Sequence, residues 1–278
     1  MNTIFLQNTW DENELITKSD IINKKFECDI FINENKLIDN MRVQNKNNIC
    51  INLNKNYTDL SAMFVDCDSL TSINLSNFNT NDVTNMMAMF QNCTELTSIN
   101  LSNFKTNNVN NMEAMFDNCI SLPSINLSNF NTSNVKKMNC MFKRCHSLSS
   151  IDLSNFNTIN VTDMHDMFEH CHSLPSINLS NFNTNNVTDM NCMFHGCHSS
   201  HSIDLSNFNT NNVTNMSQMF EDCYSLTSID LSNFKCDKIQ DTYGMADMFE
   251  GCKRLNIKDI EHSDFKIRLQ IMYDLYLS

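Results

Sequence analysis

The sequence predicts an α/β solenoid of about eight stacked coils, each with a parallel strand on one face and a short helix or helical turn on the other. Three observations carry that expectation. A Met-Phe-x-x-Cys element begins at Met63, Met89, Met115, Met141, Met167, Met193, Met219 and Met248. A Leu-Ser-Asn-Phe element runs in step with it, beginning at Leu75, Leu101, Leu127, Leu153, Leu179, Leu205 and Leu231. The first six intervals of the Met series are 26 residues each and the last is 29. A fixed period of this size marks supersecondary units that cannot bury their apolar faces alone and stack to do so.

Within one repeat, Met86, Met89, Phe90 and Cys93 stand at i, i+3, i+4 and i+7, the stripe of a short amphipathic helix. Thr84 or Asn85 occupies the N-cap position. Ile99 and Leu101 then alternate with polar residues, as in a half-buried strand. Phe104 and Val109 punctuate an Asn/Thr-rich return to the next helix. Seven strand steps of ~4.8 Å would build one parallel sheet about 30 Å wide.

The repeat assigns residues 49–255 to the solenoid, with Ile51 and Leu53 as a first, shortened strand. Residues 1–48 and 256–278 lack the frame and read as caps, because an open stack exposes unpaired strand edges. Lys235 to Gly244 carries a three-residue insertion. With 3 Gly and 2 Pro, turn chemistry falls to Asn, Ser and Thr.

A net charge of −13 argues against nucleic acid and anionic membranes, both of which want basic patches. No stretch is apolar for long enough to span a bilayer. The first residues have no basic start and no apolar core of a secretion signal, so a cytoplasmic location is expected. Of 13 cysteines, Cys67, Cys93, Cys119, Cys145, Cys171, Cys197, Cys223 and Cys252 share one repeat position. They read as small buried thiols packed with Met and Phe, which suits a reducing compartment better than a disulfide framework.

The Leu-x-x-Ile-x-Leu run resembles a leucine-rich repeat. The fuller string over residues 212–234, from Asn212 through Met219, Phe220, Cys223 and Leu226 to Phe234, is similar to the BspA-like leucine-rich repeat. That resemblance implies a right-handed curved solenoid, roles in adhesion or protein–protein interaction, and no catalytic residues or cofactor. Many such relatives are exported or lie on cell surfaces. Phe78 and its equivalents occupy the place where ordinary leucine-rich repeats carry an Asn ladder, so a Phe spine is expected to replace it.

Self-similarity separates scaffold from variable surface. Outward strand positions scarcely change: Ser72, Asn74 and Ser76 become Ser98, Asn100 and Ser102. That polar lattice lacks the aromatic and Arg anchors of binding hot spots. Variation concentrates on the expected helix, where Gln91-Asn92 becomes Lys143-Arg144, Glu169-His170 and His195-Gly196. The expected partner surface is therefore a ridge containing Lys143, Arg144, His165, Asp166, Glu169, His170 and His195, facing an unidentified protein. The chain is expected to be a monomer, or to self-associate weakly through its ends.

His146, His172 and His198 share the position after the ladder Cys, with Cys140 and Cys192 nearby on the outer side. Imidazole and thiolate ligate zinc, but a row at coil spacing is no tetrahedron. No metal site is expected; these five are the candidates if one exists, and a patch charging near pH 6 is the alternative. A glycan-type lattice binder using the Ser/Asn/Ser face is a further reading. Gly-rich phosphate loops and nucleophile elbows are missing from the sequence, so no enzyme is expected.

Overall fold

Asparagine, serine and threonine must turn this chain, and the computed structural model shows where each does so. The structure describes residues 2–8, 15–16, 21–32, 35–37, 41–42, 48–240, 242–255 and 260–261. Each repeat is one coil, and residues 26 apart in sequence lie side by side. Isolated parallel bridges link Asp59, Asn85, Asn111, Lys137, Asp163, Asp189 and Asn215 in one such row.

Six strands precede the repeats: β1 (Asn2–Asn8), β2 (Leu15–Ile16), β3 (Cys28–Ile32), β4 (Asn35–Lys36), β5 (Met41–Arg42) and β6 (Asn48–Leu53). The repeats contribute β7 (Leu70–Asn74), β8 (Ser98–Asn100), β9 (Ser124–Ile125), β10 (Ser150–Ile151), β11 (Ser176–Asn178), β12 (Ser202–Asp204) and β13 (Ile229–Asp230). β14 (Ile260–Glu261) follows, parallel to β13. β1 lies antiparallel between β6 and β7, in a sheet ordered β4-β3-β6-β1-β7-β8. It therefore covers the edge of the first repeat strand. Ile51 and Leu53 belong to β6, which pairs antiparallel with β1 and β3 rather than parallel with β7. Apart from β14, the expected cap over residues 256–278 lies outside the described residues.

The broad parallel sheet is reduced to short pairs: β7 with β8, β9 with β10, β11 with β12, and β13 with β14. The sequence explains the shortness. At the end of each strand an Asn or Asp accepts a bond from the amide two residues on, as Asn100 Oδ1 does from Ser102 and Asp152 Oδ1 from Ser154. That Asx turn bends the chain off the sheet after two or three residues.

The expected helix face is a run of turns. Ala88, Ala114, Cys140, Asp166, Cys192 and Gln218 have φ between 52° and 57°. Four residues on, Asn92, Asn118, Arg144, His170 and Asp222 are left-handed again, with Gly196 in the same row. No α-helix passes through two left-handed residues per turn pair. The amides of Met86, Ala88, Phe90 and Asn92 instead donate to Asn111, Glu113, Met115 and Asp117 of the next coil, at 2.8–3.0 Å. Those of Met89, Gln91 and Cys93 donate to carbonyls three residues back. A two-turn helix would leave its first four amides without partners, whereas the stack satisfies every one. Among the described residues, helix is limited to one 3₁₀ turn, Thr242–Met245, at the insertion.

The apolar stripe nevertheless faces inward: Met86, Met89, Phe90, Cys93, Leu96, Leu101, Phe104 and Val109 are all buried. Phe64, Phe90, Phe116, Phe142, Phe168, Phe194, Phe220 and Phe249 stack with centroids 5.3–5.9 Å apart and planes within 16°. Each such pair contributes about 0.5–1.5 kcal/mol beyond the area it buries. The ladder thiols lie beside this stack, and from Cys93 onward each donates to a carbonyl of the preceding coil, as Cys93 does to Phe64 at 3.1 Å and Cys171 to Phe142 at 3.1 Å.

Polar ladders join the coils as well. The Phe78, Phe104 and Phe130 spine is present, but it does not replace an asparagine ladder. Asn103, Asn129, Asn155, Asn181, Asn207 and Asn233, each just before a spine Phe, donate their amides to the carbonyls of Ser76, Ser102, Ser128, Ser154, Ser180 and Ser206. The ladder has moved one residue, so Phe and Asn each keep a face. A second, buried ladder uses threonine: Thr106 Oγ1 donates to the Asn131 carbonyl at 2.9 Å and accepts from the Asn131 amide at 2.7 Å.

Candidate functional site

Because residues 26 apart are neighbours, each variable position of the turn side becomes a row across the stack. The row after the core Phe reads Gln91, Asp117, Lys143, Glu169, His195, Glu221. The next reads Asn92, Asn118, Arg144, His170, Gly196, Asp222, and the row after the ladder Cys reads His146, His172, His198, Tyr224, Lys253. Early in these rows the contacts are simple amide ladders: Gln91 Nε2 donates to Asp117 Oδ2 at 2.7 Å, and Asn118 Nδ2 to Asn92 Oδ1 at 3.0 Å. From Cys140 to Asp222 the amides give way to titratable groups, and these form the candidate site.

Lys143 is its electrostatic centre. Its ammonium bonds Asp166 Oδ2 at 2.6 Å and pairs with Glu169 Oε2. Burial pulls the Lys143 pKa down, but the two carboxylates outweigh it and hold the group firmly protonated. Glu169 is buried, and its other oxygen lies 3.5 Å from His170 Nε2. His195 Nε2 lies 3.9 Å from Glu221 Oε2. Burial raises the Glu221 pKa, with His195 opposing it. Burial lowers that of His170, reinforced by His195, Arg144 and His146 and opposed by Glu169.

Gly196 makes room for this arrangement. Its φ is +68°, and a β-carbon there would lie 2.2 Å from His170 Nδ1. The imidazole occupies the space over the glycine, as Asp222 does over Gly251 further along the row. His170 Nδ1 is shielded from solvent and meets no hydrogen-bond partner among the described residues.

A second group surrounds His165. Its Nδ1 lies 2.7 Å from Asp163 Oδ1, and this bond, with the Cys140 thiol next, lifts the imidazole to about 10. Cys140 Sγ is 3.9 Å from Asp166 Oδ2. Cys192 stands 3.6 Å from Gln218 Oε1, its thiol pushed up to about 12, chiefly by burial.

His146, His172 and His198 stack as a column, with centroids 4.4 and 4.2 Å apart and planes within 9°. Tyr224 continues it at 4.6 Å, and the Lys253 ammonium sits 4.9 Å from the Tyr224 ring. Parallel rings aim their nitrogens in parallel, so these three do not converge on one ion. Burial lowers the pKa of each, and His172, flanked by His198, His146 and His170, falls to about 4.

The residues expected as a partner ridge thus divide. Arg144 is exposed, Lys143, His165, Asp166, His170 and His195 are half-buried, and Glu169 is buried. Lys143, Asp166 and Glu169 spend their charges on each other. The expected ridge left out Asp163, Gly196, Glu221 and Asp222, although rows of 26 place all four beside the histidines. Three groups bring ligand atoms within 4.8 Å of one another: Cys140, His165 and Asp166; Glu169, His170 and His195; and His195, Glu221 and Asp222. Imidazole nitrogens beside carboxylate oxygens are donors of the kind that hold a metal ion. The deepest thiols cannot act as thiolates near neutrality, since burial lifts that of Cys197 to about 12.

No helix among the described residues is long and apolar enough to cross a membrane. No curated protein and no solved structure matches the chain. Residues 58–174 and again residues 148–263 match the family model described as Mycoplasma protein of unknown function, DUF285. The two matches together run through all the coils from Leu60 to Leu255, so the chain belongs to the DUF285 family of repeat proteins.

Proposed function

We propose that the chain is a non-catalytic protein–protein interaction or adhesion scaffold of the BspA-like leucine-rich-repeat type. The observation that carries this reading is the contrast between rows. Asn, Thr, Cys and Phe recur coil after coil in ladders that hold the stack together, whereas the turn-side row after the core Phe changes identity at each step from Gln91 to Glu221. A partner that reads those rows meets a non-repeating surface on a rigid, repeating support. The Leu-x-x-Ile-x-Leu strand motif supports the leucine-rich-repeat assignment, with Leu96 and Leu101 buried and Ile99 packed against the core.

Arg144 is the cation of the ridge to test. It is exposed, whereas reversal at Lys143 would break two internal ion pairs and confound folding with binding. The experiment is a cross-linked pull-down from the native source with wild type and Arg144→Glu, both checked for an unchanged urea midpoint. A protein captured by wild type and lost from the variant is the expected result. Equal capture by both, or none by either, contradicts the reading of this ridge.

A further inference from the structure

We propose that Glu169, His170, His195 and Glu221 form a site for one divalent transition-metal ion of the zinc class, bound through two imidazole nitrogens and two carboxylate oxygens. The proposal concerns this chain's own donors and does not depend on a protein partner.

Geometry is the first support. A tetrahedral ion with bonds of about 2.1 Å holds its donors roughly 3.4 Å apart. Glu169 Oε1 and His170 Nε2 are already 3.5 Å apart, and His195 Nε2 and Glu221 Oε2 are 3.9 Å apart. His195 belongs to both convergent groups, one with Glu169 and His170, the other with Glu221 and Asp222. His195 therefore links two groups of donors drawn from three consecutive coils.

Charge is the second. The Glu169–Asp222 corner holds Asp166, Glu169, Glu221 and Asp222, and Lys143 is the ammonium paired within it, bonded to Asp166 and Glu169. Lys143 grips Glu169 through Oε2, which leaves Oε1 facing His170. Glu221 has the His195 imidazole for its neighbour, at 3.9 Å. A divalent cation supplies the positive charge that these half-buried carboxylates lack.

The third is Gly196. A glycine stands in the side-chain row where His170 leans across, and any β-carbon would displace that ring. The shielded nitrogen over this gap is Nδ1, so the donor toward the ion is Nε2, 3.5 Å from Glu169 Oε1.

The competing clusters are already committed. His165 Nδ1 is bonded to Asp163 and Asp166 to Lys143, so the Cys140 group offers fewer free donors. An N₂O₂ set selects zinc, cobalt or nickel over magnesium and calcium, which prefer all-oxygen shells.

The test uses the full, reduced chain, stripped with chelator and titrated with Zn²⁺ against a chromogenic competitor. Co²⁺ is then added separately and its absorption recorded. One equivalent of Zn²⁺ should bind. His170→Gln, His195→Gln and Glu221→Gln should each weaken binding by at least about tenfold, while His172→Gln and Cys140→Ser leave it unchanged. Bound Co²⁺ should show d–d bands without a thiolate charge-transfer band. No stoichiometric zinc would overturn the proposal. So would wild-type affinity in folded His195→Gln and Glu221→Gln, or a thiolate band that Cys140→Ser abolishes. Urea midpoints of the apo variants separate lost binding from lost folding.

Discussion

Thr132 shows what one hydroxyl does in this fold. Its Oγ1 donates to the Asn157 carbonyl at 3.0 Å and accepts from the Asn157 amide at 2.7 Å, so one buried atom satisfies two backbone groups of the next coil. Thr132→Val keeps the shape and orphans both, which should cost about 1–3 kcal/mol in urea denaturation. Thr132→Ser should recover most of that loss, and equal stability of Val and Thr would contradict the ladder's role. Gly196→Ala is a second test at this scale. It places a β-carbon 2.2 Å from His170 Nδ1 at a φ of +68°, so it should destabilise by about 1–3 kcal/mol. None of this was legible in sequence terms. Thr132 reads there as one more turn residue, and Gly196 as one more variable position of the ridge, because their importance lies in partners 25 or 26 residues away. The buried thiols were legible, since a cysteine kept at one repeat position among Met and Phe has no other obvious place.

At the scale of the element, the sequence located the apolar face correctly and misassigned its backbone. Spacing of i, i+3, i+4 and i+7 describes Met86, Met89, Phe90 and Cys93 equally well on a helix or on consecutive turns. Periodicity reports which side chains point inward, not where their amides donate. The strand was legible from Ile99 and Leu101; its brevity was not, although Asn100 two residues before Ser102 was the signal. The histidine column could be placed as a row, and its chemistry follows from that placement. An unfolded imidazole titrates near 6.5, whereas His172, desolvated and facing His146, His170 and His198, titrates at about 4. Between those values the unfolded chain binds more protons than the folded one. The His172 contribution is therefore intact above about pH 6.5 and is lost as pH falls toward 4. His146, His170 and His198 shift in the same direction. His165 opposes them: raised to about 10 by Asp163, it stabilises fully below about pH 6.5 and loses that contribution as pH rises through 10. Urea midpoints at pH 7.5 and 5 should show lower stability at pH 5, and His172→Gln should shrink the difference. An unchanged difference in that variant would remove the column from the account.

Across the whole molecule, the 26-residue period was the most legible feature, because it records the one geometric rule that every ladder obeys. Phe on Phe, Cys on carbonyl, Thr on Asn and Asn on Ser all depend on keeping that register. Deleting residues 110–135 removes one complete period and joins equivalent positions. The shortened chain should fold, with its urea m-value reduced by roughly one-eighth. Deleting one residue fewer should shift every later ladder out of step, and equal stability of the two deletions would contradict register as the organising constraint. The N-terminal strands were harder to read, since their pairing with β7 leaves no periodic trace in the sequence. The most direct test of the account is a measurement of scalar couplings across backbone hydrogen bonds in deuterated protein, at the amide of Phe116. That amide donates to the Met141 carbonyl of the next coil at 3.0 Å. Coupling between Phe116 nitrogen and Met141 carbonyl carbon is the expected result. Coupling to the Met112 carbonyl, four residues back, would mean that the turn side is helical after all, and would overturn the stacked-coil hydrogen bonding on which the rows, the site and the ladders rest.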